Sequence, residues 1–205
     1  MASAPTIALS HRHAQVRRAL VERGLDALVV TSLPNVLYLT NFSGSSAIVL
    51  MGADRLRFLT DSRYLTTMAD MARTSHACPG LDLSEVGGSY DVALLDHLRF
   101  MTGARVGVEG GHLSVSRFMW LTGRLAGEPG APALVPIEGL VEAARVTKDA
   151  HELSALEEGG RRLSRVAAEI VQEVRAGRQE REVAMAIDWA IRAAGFERTA
   201  FETIV

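Results

Sequence analysis

The sequence predicts an α/β fold in which a mixed sheet is flanked by helices. Short apolar runs alternate with longer segments whose apolar residues recur every three or four positions, which indicates strands alternating with helices. One pair of runs is separated by a tight turn, which predicts a hairpin among these elements. At 205 residues the chain is long enough for one complete domain and part of a second.

The first elements follow from caps and apolar runs. Ser10 is predicted to cap the first helix, and Gly24 is predicted to end it in a left-handed conformation. Four consecutive apolar residues at 27–30 are typical of a strand that is buried on both faces. Residues 46–50 and 55–59 then form the predicted hairpin.

The rest of the first domain continues the alternation. A stretch without clear pattern, residues 74–86, interrupts it. The remaining predicted elements are a helix over 62–72, a helix from Ser89 to about residue 100, a strand over 105–109, a helix over 115–125 and a strand over 133–135.

The pattern changes near residue 147. Apolar residues from Leu153 to Val174 follow a regular three- and four-residue spacing on one long helix, and a second helix is predicted over 180–194, before Gly195. The final run, 199–205, is strand-like, but a lone strand leaves its backbone N–H and C=O groups unpaired. We therefore expect a complete domain over 1–145 and an incomplete second domain over 146–205.

Composition argues against several classes of function. The formal net charge of −2 provides no general attraction to nucleic acid or to anionic lipid. No apolar run approaches the length of a membrane span, and the N-terminus lacks the pattern of a secretory signal. The single cysteine, Cys78, permits no intramolecular disulfide and favours a reducing compartment, so a cytoplasmic protein is the expectation.

Motifs that carry chemistry are scarce. His151 and Glu152 begin like a zinc-binding H-E-x-x-H helix, but Ala155 stands where the second His is required. In the segment 61–64, which lies where a predicted strand leads into a helix, two interpretations stay open. Asp61 could simply cap the helix beside a buried tyrosine, or Arg63 could bind a carboxylate near a cleft. No catalytic residue and no metal ligand is assigned from the residues.

Several segments carry a family resemblance in their order and spacing. Residues 31–46 are similar to an N-x-x-Y-L-T-x-F-x-G-S segment, residues 60–64 to T-D-x-R-Y, residues 106–109 to an I/V-G-x-E strand, and residues 145–152 to an R-x-x-K-x-x-x-E junction. Residues 180–205 resemble the second helix and first strand of the domain that this junction opens. The ordered set resembles the N-terminal portion of the creatinase, Xaa-Pro aminopeptidase and prolidase family, the pita-bread metallopeptidases.

The resemblance implies both a fold and an activity. It implies a creatinase-type α/β N-terminal domain followed by a truncated α+β pita-bread domain. The implied whole enzyme hydrolyses the peptide bond that precedes proline, using two divalent metal ions of the Mn or Co type. In the family the ligands of these ions lie in segments that follow the portion present here, so residues 1–205 alone are predicted to be inactive.

The resemblance also implies partners and a candidate site. The partners are short proline-containing peptides and further copies of the chain, in a homodimer or a higher homo-oligomer, with no nucleic acid and no membrane. Phe42, Arg63 and Tyr64 are the candidate residues, because related N-terminal domains reach toward a neighbouring subunit's active site. Arg63 would offer its guanidinium to a substrate carboxylate or to an acidic group of that subunit.

Two alternatives remain open at this point. One is a hydrolase of the same fold that acts on a small non-peptide substrate, of the creatinase or ectoine-hydrolase type. The other is a non-catalytic module for peptide binding or oligomerisation.

Overall fold

The structure is a computed structural model that describes residues 3–205. The chain divides into two compact units, and the boundary lies between Asp149 and Ala150. No helix of the described residues is both long and apolar enough to cross a bilayer.

A six-stranded sheet forms the centre of the first unit. Its strands are β1 (Ala27–Val30), β2 (Ile48–Met51), β3 (Leu56–Thr60), β4 (Leu81–Glu85), β5 (Arg105–Glu109) and β6 (Ala133–Ile137). The order across the sheet is β4-β3-β2-β1-β5-β6, and only β2 runs antiparallel to its neighbours. The predicted mixed sheet is therefore confirmed, and the carboxyl ends of the other five strands lie at the same end of the sheet.

Helices cover both faces of this sheet. They are α1 (Thr6–Glu22), α2 (Leu33–Thr40), α3 (Ser62–Met71), α4 (Tyr90–Arg99), α5 (Val115–Leu125) and α6 (Leu140–Val146). Alternate residues of each strand point to opposite faces, so Leu28 and Val30 join one apolar core while Ala27 and Val29 join the other. Residues of α1, α2 and α6 complete the first core, and residues of α4 and α5 complete the second.

The predicted start of the first helix is wrong. Helix α1 begins at Thr6 with Pro5 in the N-cap position, so Ser10 lies inside the helix. The Ser10 hydroxyl donates to the carbonyl oxygen of Thr6 at 3.0 Å, which is the back-bond that a serine inside a helix makes. The predicted end is confirmed, because Gly24 adopts a φ of 62° directly after the last turn.

Three elements of the first unit were not predicted. Helices α2 and α6 have 8 and 7 residues, which is too short for a periodic signal to stand out. Strand β4 lies in the stretch 74–86, where the sequence shows no clear pattern. It is an edge strand whose residues are half-buried or exposed, so no apolar alternation marks it.

The second unit consists of helix α7 (Ala150–Ile170), a short 3₁₀ turn at Val171–Glu173 and helix α8 (Glu180–Ala193). Gly195, with a φ of 87°, follows the end of α8 as predicted. The prediction of a strand over 199–205 is wrong, because these residues form no strand in the structure. A strand needs a neighbouring strand for its backbone groups, and the described residues of this unit contain none.

Candidate functional site

The predicted residues Phe42, Arg63 and Tyr64 lie together where β3 leads into α3. The ring of Phe42 is 3% exposed and packs edge-on against Phe58 at 5.1 Å and against Tyr64 at 5.0 Å between ring centroids. Phe42 is therefore a core residue that supports the Tyr64 ring from within.

Gly44 makes this aromatic packing sterically demanding. A Cβ atom at position 44 would lie 2.7 Å from Cε1 of Tyr64 and would overlap the ring of Phe42. Real Cβ atoms do not approach that closely, so the F-x-G spacing of residues 42–44 allows the chain to pass directly over the two rings.

Arg63 forms a two-pronged ion pair with Asp61. Its Nε and Nη2 atoms donate to Oδ1 and Oδ2 of Asp61, each at 2.8 Å. Asp61 also caps helix α3, because Oδ1 accepts from the backbone N–H of Arg63 at 3.1 Å. The side-chain hydrogen bonds from Arg63, followed by that from Tyr90, hold the pKa of Asp61 well below its usual range.

This pairing leaves one edge of the guanidinium open. The Arg63 side chain is 62% exposed and lies over the Tyr64 ring, 5.1 Å from its centroid. Among the described residues, none forms a hydrogen bond with Nη1 of Arg63. Because Asp61 occupies the Nε side of the fork, the Nη1 and Nη2 ends can still donate to a second carboxylate. Asp61 thus caps the helix as the first interpretation has it, although Tyr64 is half-buried rather than buried. Carboxylate binding by Arg63 stays a prediction.

The hydroxyl of Tyr64 is held by the loop before β2. It lies 2.9 Å from Oγ of Ser45 and accepts from the backbone N–H of Ser45 at 3.2 Å. The side-chain bond to Ser45, followed by this backbone bond, lowers the pKa of Tyr64. The loop, the ring and the guanidinium therefore form one ordered surface at the carboxyl end of β3.

A second polar cluster, centred on Glu109, was not assigned a role from the sequence. Glu109 ends β5, and its Oε2 atom accepts from the backbone N–H groups of Thr31 and Ser32 at 2.6 and 2.7 Å. These N–H groups lie where β1 leads into α2, so the carboxylate also faces the positive end of that helix. Glu109 thereby joins the carboxyl ends of two neighbouring parallel strands.

Asn35 extends this cluster to helix α6. Its Nδ2 atom donates to Oε1 of Glu109 at 2.7 Å and to Oε1 of Glu142 at 2.6 Å. Its Oδ1 atom accepts from Nη1 of Arg145 at 2.7 Å. The side chain is fully buried, and both of its amide hydrogens and its carbonyl oxygen are used.

A signal for this cluster existed in the sequence. Asn35, Glu109 and Arg145 each belong to one of the segments that carried the family resemblance, at 31–46, 106–109 and 145–152. Polar residues that recur inside otherwise apolar motifs are candidates for one buried network. Only the fold shows that these three side chains contact one another.

The end of the first unit is also tied to its first helix. Arg12 is 6% exposed, and its Nη2 atom lies 2.7 Å from Oδ2 of Asp149. Its Nη1 atom donates to the carbonyl oxygen of Tyr38 at 2.9 Å, and the guanidinium lies over the Tyr38 ring at 4.4 Å. The Tyr38 hydroxyl donates to the carbonyl oxygen of Ala144 at 3.2 Å. Segments 31–46 and 145–149 are thus held together by buried polar contacts.

Metal-ligating side chains are not assembled in the described residues. No group of three or more His, Cys, Asp or Glu side chains within 3–205 could hold a metal ion. The cavity of about 370 Å³ beside Glu109 is lined by Ser32, His112 and Glu142 among others, and the carboxylates of Glu109 and Glu142 both bind Asn35 there. The residues present do not fit a dinuclear metal centre, so no chemical step is assigned to them.

Comparison with known proteins gives one family and several relatives. Residues 12–147 match the Creatinase/Prolidase N-terminal domain. The uncharacterized peptidase YqhT of Bacillus subtilis is 26% identical over 191 residues, which cover 93% of this chain and 51% of that protein.

Two solved structures illustrate the structural likeness. An Xaa-Pro dipeptidase from Bacillus anthracis has a TM-score of 0.82 at 23% identity, over 94% of this chain and 51% of its own. An XXA-pro aminopeptidase structure from Streptococcus pyogenes has a TM-score of 0.55 at 33% identity, over 67% of this chain and 98% of its own. The chain thus spans about half the length of the curated relative and of the Bacillus anthracis enzyme.

The matched residues include the larger part of helix α1, the whole six-stranded sheet and the clusters around Arg63 and Glu109. This match confirms the family resemblance of the segments 31–46, 60–64 and 106–109, which lie within it. The chain belongs to the Creatinase/Prolidase N-terminal domain family.

Proposed function

We propose that this chain is the N-terminal part of a metal-dependent Xaa-Pro peptidase, of the aminopeptidase P or prolidase type, that hydrolyses the peptide bond preceding proline. Its relatives include a peptidase, an Xaa-Pro dipeptidase and an XXA-pro aminopeptidase. The observation that carries the proposal is the polar network of buried Asn35 with half-buried Glu109 and Arg145, in which three family segments contact one another.

The proposal assigns a role to each part of the chain. Residues 1–145 form the N-terminal domain, and residues 146–205 are the start of a pita-bread catalytic domain. The division of the structure at residues 149 and 150 supports this assignment, as does the coverage of 94% of the chain by the Bacillus anthracis likeness. The whole protein would hold two divalent ions of the Mn or Co type in segments other than the described residues of this chain.

Within this function, Arg63 is the proposed contact with a carboxylate. The open edge of its guanidinium would bind either the carboxylate of a short proline-containing peptide or an acidic side chain of a neighbouring subunit. Phe42 and Tyr64 hold the guanidinium in place, one from the core and one as the surface on which it lies. A homodimer or higher homo-oligomer in the cytoplasm is part of the same proposal.

The test uses the whole protein loaded with Mn²⁺ or Co²⁺. We expect release of the first residue from Xaa-Pro dipeptides and tripeptides, and no release from the matched Xaa-Ala peptides. Hydrolysis of creatine or ectoine in place of Xaa-Pro peptides would instead establish the small-substrate alternative. Binding of peptides without hydrolysis by any of these assays would establish the non-catalytic module.

The chain of residues 1–205 provides a second measurement. We expect it to show no turnover of the same peptides in the presence of either ion, because its described residues offer no ligand set. Turnover above a no-protein control, by a preparation of verified mass, would contradict this expectation.

A further inference from the structure

His97 connects helix α4 to the two outer strands at one side of the sheet. Its Nδ1 atom lies 3.0 Å from Nη1 of Arg57 on β3, and its Nε2 atom lies 2.9 Å from Oγ of Ser84 on β4. Within residues 3–205, strand β4 is an edge of the sheet and pairs with β3 alone. The imidazole is therefore a polar link between the edge strand β4 and helix α4, which packs on the adjacent strand β3.

The chemistry of these partners selects one protonation state. A guanidinium can only donate, so Nδ1 of His97 must accept with its lone pair. The ring proton is then on Nε2, which donates to Oγ of Ser84. Only the neutral imidazole with its proton on Nε2 satisfies both contacts. In this state His97 cannot accept the Ser84 proton, so the pair is not an activated nucleophile.

The charges that face His97 from the packed elements are of both signs. Arg57 approaches from β3, Asp82 from β4 and Asp96 from its own helix. The carboxylate of Asp82 is bound by Nε and Nη2 of Arg57 at 3.1 and 3.0 Å, so its attraction for an imidazolium is partly offset.

Helix α5 also packs on α4. It contributes the ion pair between Arg117 and Asp91, which lies in the first turn of α4, more than one turn away from His97.

We propose that His97 is a proton-sensitive latch: the neutral ring ties edge strand β4 to helix α4, and protonation of Nδ1 breaks that tie, so that β4 separates from β3 more readily. A proton on Nδ1 would point at the N–H of Arg57, so two donors and two like charges would face each other. The two hydrogen bonds of His97 reach β3 and β4, so their loss affects this edge of the sheet and not the central strand β1. A pH-dependent opening is thereby confined to one edge of the sheet.

The direction of the effect follows from linkage. Burial, followed by the charge of Arg57, lowers the pKa of His97 in the folded state. The open state has the ordinary value of about 6.5 and so binds the proton more readily. The stabilising contribution of the latch is complete above pH 6.5, and it is lost as the pH falls from 6.5 through the lowered pKa.

The experiment is amide hydrogen exchange of the chain at pH 7.5 and pH 5.5, corrected for intrinsic exchange rates. We expect the protection of residues 81–85 to fall at least about fivefold more than that of residues 27–30 in the central strand β1. The His97→Asn variant keeps an oxygen that can accept from Arg57 but does not titrate, so its β4 protection should lose this pH dependence. The matched control is His11→Asn at an exposed position of α1, which should behave as the wild type does.

Two results would overturn the latch. One is equal loss of protection in β4 and β1 of the wild type, and the other is an unchanged β4 response in the His97→Asn variant. If that variant does not fold, ¹⁵N NMR of the wild-type imidazole decides. A proton on Nδ1 at pH 7.5 contradicts the proposal. A neutral ring with its proton on Nε2, whose Nδ1 takes up a second proton over the pH range in which β4 exchange rises, supports it.

Discussion

Asn35 donates one amide hydrogen to Glu109 and the other to Glu142, with N···O distances of 2.7 and 2.6 Å. The carbonyl oxygen of the same side chain accepts from Arg145. A single buried amide therefore joins helix α2 to the end of strand β5 and to helix α6. The two carboxylates each need a donor at this point, and Arg145 needs an acceptor. A side-chain amide supplies two N–H donors and one acceptor oxygen, whereas a carboxylate supplies no donor.

The first prediction is that Asn35→Asp destabilises the first unit at neutral pH by about 3 kcal/mol. The buried carboxylate would keep the bond from Arg145, but its second oxygen would face the carboxylates of Glu109 and Glu142 in place of the amide donor. The pKa of the introduced carboxyl would be raised in the folded state, so the lost stability should return as the pH falls. Chemical denaturation between pH 7.5 and pH 4.5 measures both effects. Asn41→Asp is the control, at a buried position bonded to backbone groups of Ala4 and His76. It should lose less stability, because its new carboxylate would face neutral carbonyl oxygens rather than two carboxylates.

The second prediction concerns Arg63 in the whole protein. Arg63→Ala removes the guanidinium edge that is open beside Asp61, so we expect a raised KM for Xaa-Pro peptides or a weaker oligomer, with kcat nearly unchanged. Arg73→Ala removes an arginine that is 80% exposed and paired with a neighbouring aspartate on the surface, and it serves as the control. If the kinetics and the oligomeric state of Arg63→Ala match those of the wild type, the role of Arg63 is limited to its ion pair with Asp61 at the start of α3.

The third prediction is that Gly44→Ala destabilises the first unit by about 1–3 kcal/mol, because the new methyl group would displace the packed rings of Phe42 and Tyr64. Thermal unfolding of the variant measures the loss. Gly87→Ala is the matched control, since its Cβ would meet no atom within 4 Å. Equal melting temperatures for the two variants would contradict the steric argument.

The fourth prediction is a pH dependence centred on His13, which is 1% exposed and bonds the carbonyl oxygen of Leu39 at 2.7 Å. Burial, opposed in part by that bond, lowers the pKa of His13 below 6.5. The folded state therefore takes up the proton less readily than the unfolded state, and stability should be lost as the pH falls below about 6.5. The His13→Gln variant keeps a donor but cannot titrate, so its free energy of unfolding should fall less between pH 7.5 and pH 5.5 than that of the wild type. The His11→Gln variant, changed on the exposed face, should show the same fall as the wild type.

The fifth prediction is that Cys78 reacts with alkylating reagents only when the unit opens. Burial raises the pKa of its thiol to about 12, so the thiolate that would react is scarce in the folded state. Maleimide labelling at pH 7 should be slow in native protein and fast in denaturant, as followed by intact mass. Equal rates in the two conditions would show that Cys78 is accessible, and an unlabelled product in denaturant would show that the thiol is already blocked.

The sequence by itself determined the mixed α/β class, the central strands, the hairpin and the two long helices of the second unit. These elements carry dense local signals: four buried apolar residues in β1, a tight turn between β2 and β3, and regular apolar spacing in α7 and α8. It also identified the segments of the family, because spacing within a motif is a property of the chain alone.

Only the tertiary structure decided where those segments meet. The contact between Asn35 and Glu109 joins residues 74 positions apart, and the one between Asn35 and Arg145 spans 110 positions, so no local pattern encodes them. The edge strand β4 also depends on the tertiary structure. Its half-buried residues carry no strong local pattern, and they form a strand because they pair with β3. Local propensity specifies elements with strong periodicity, whereas hydrogen-bond satisfaction across the folded chain specifies the polar clusters and the edges.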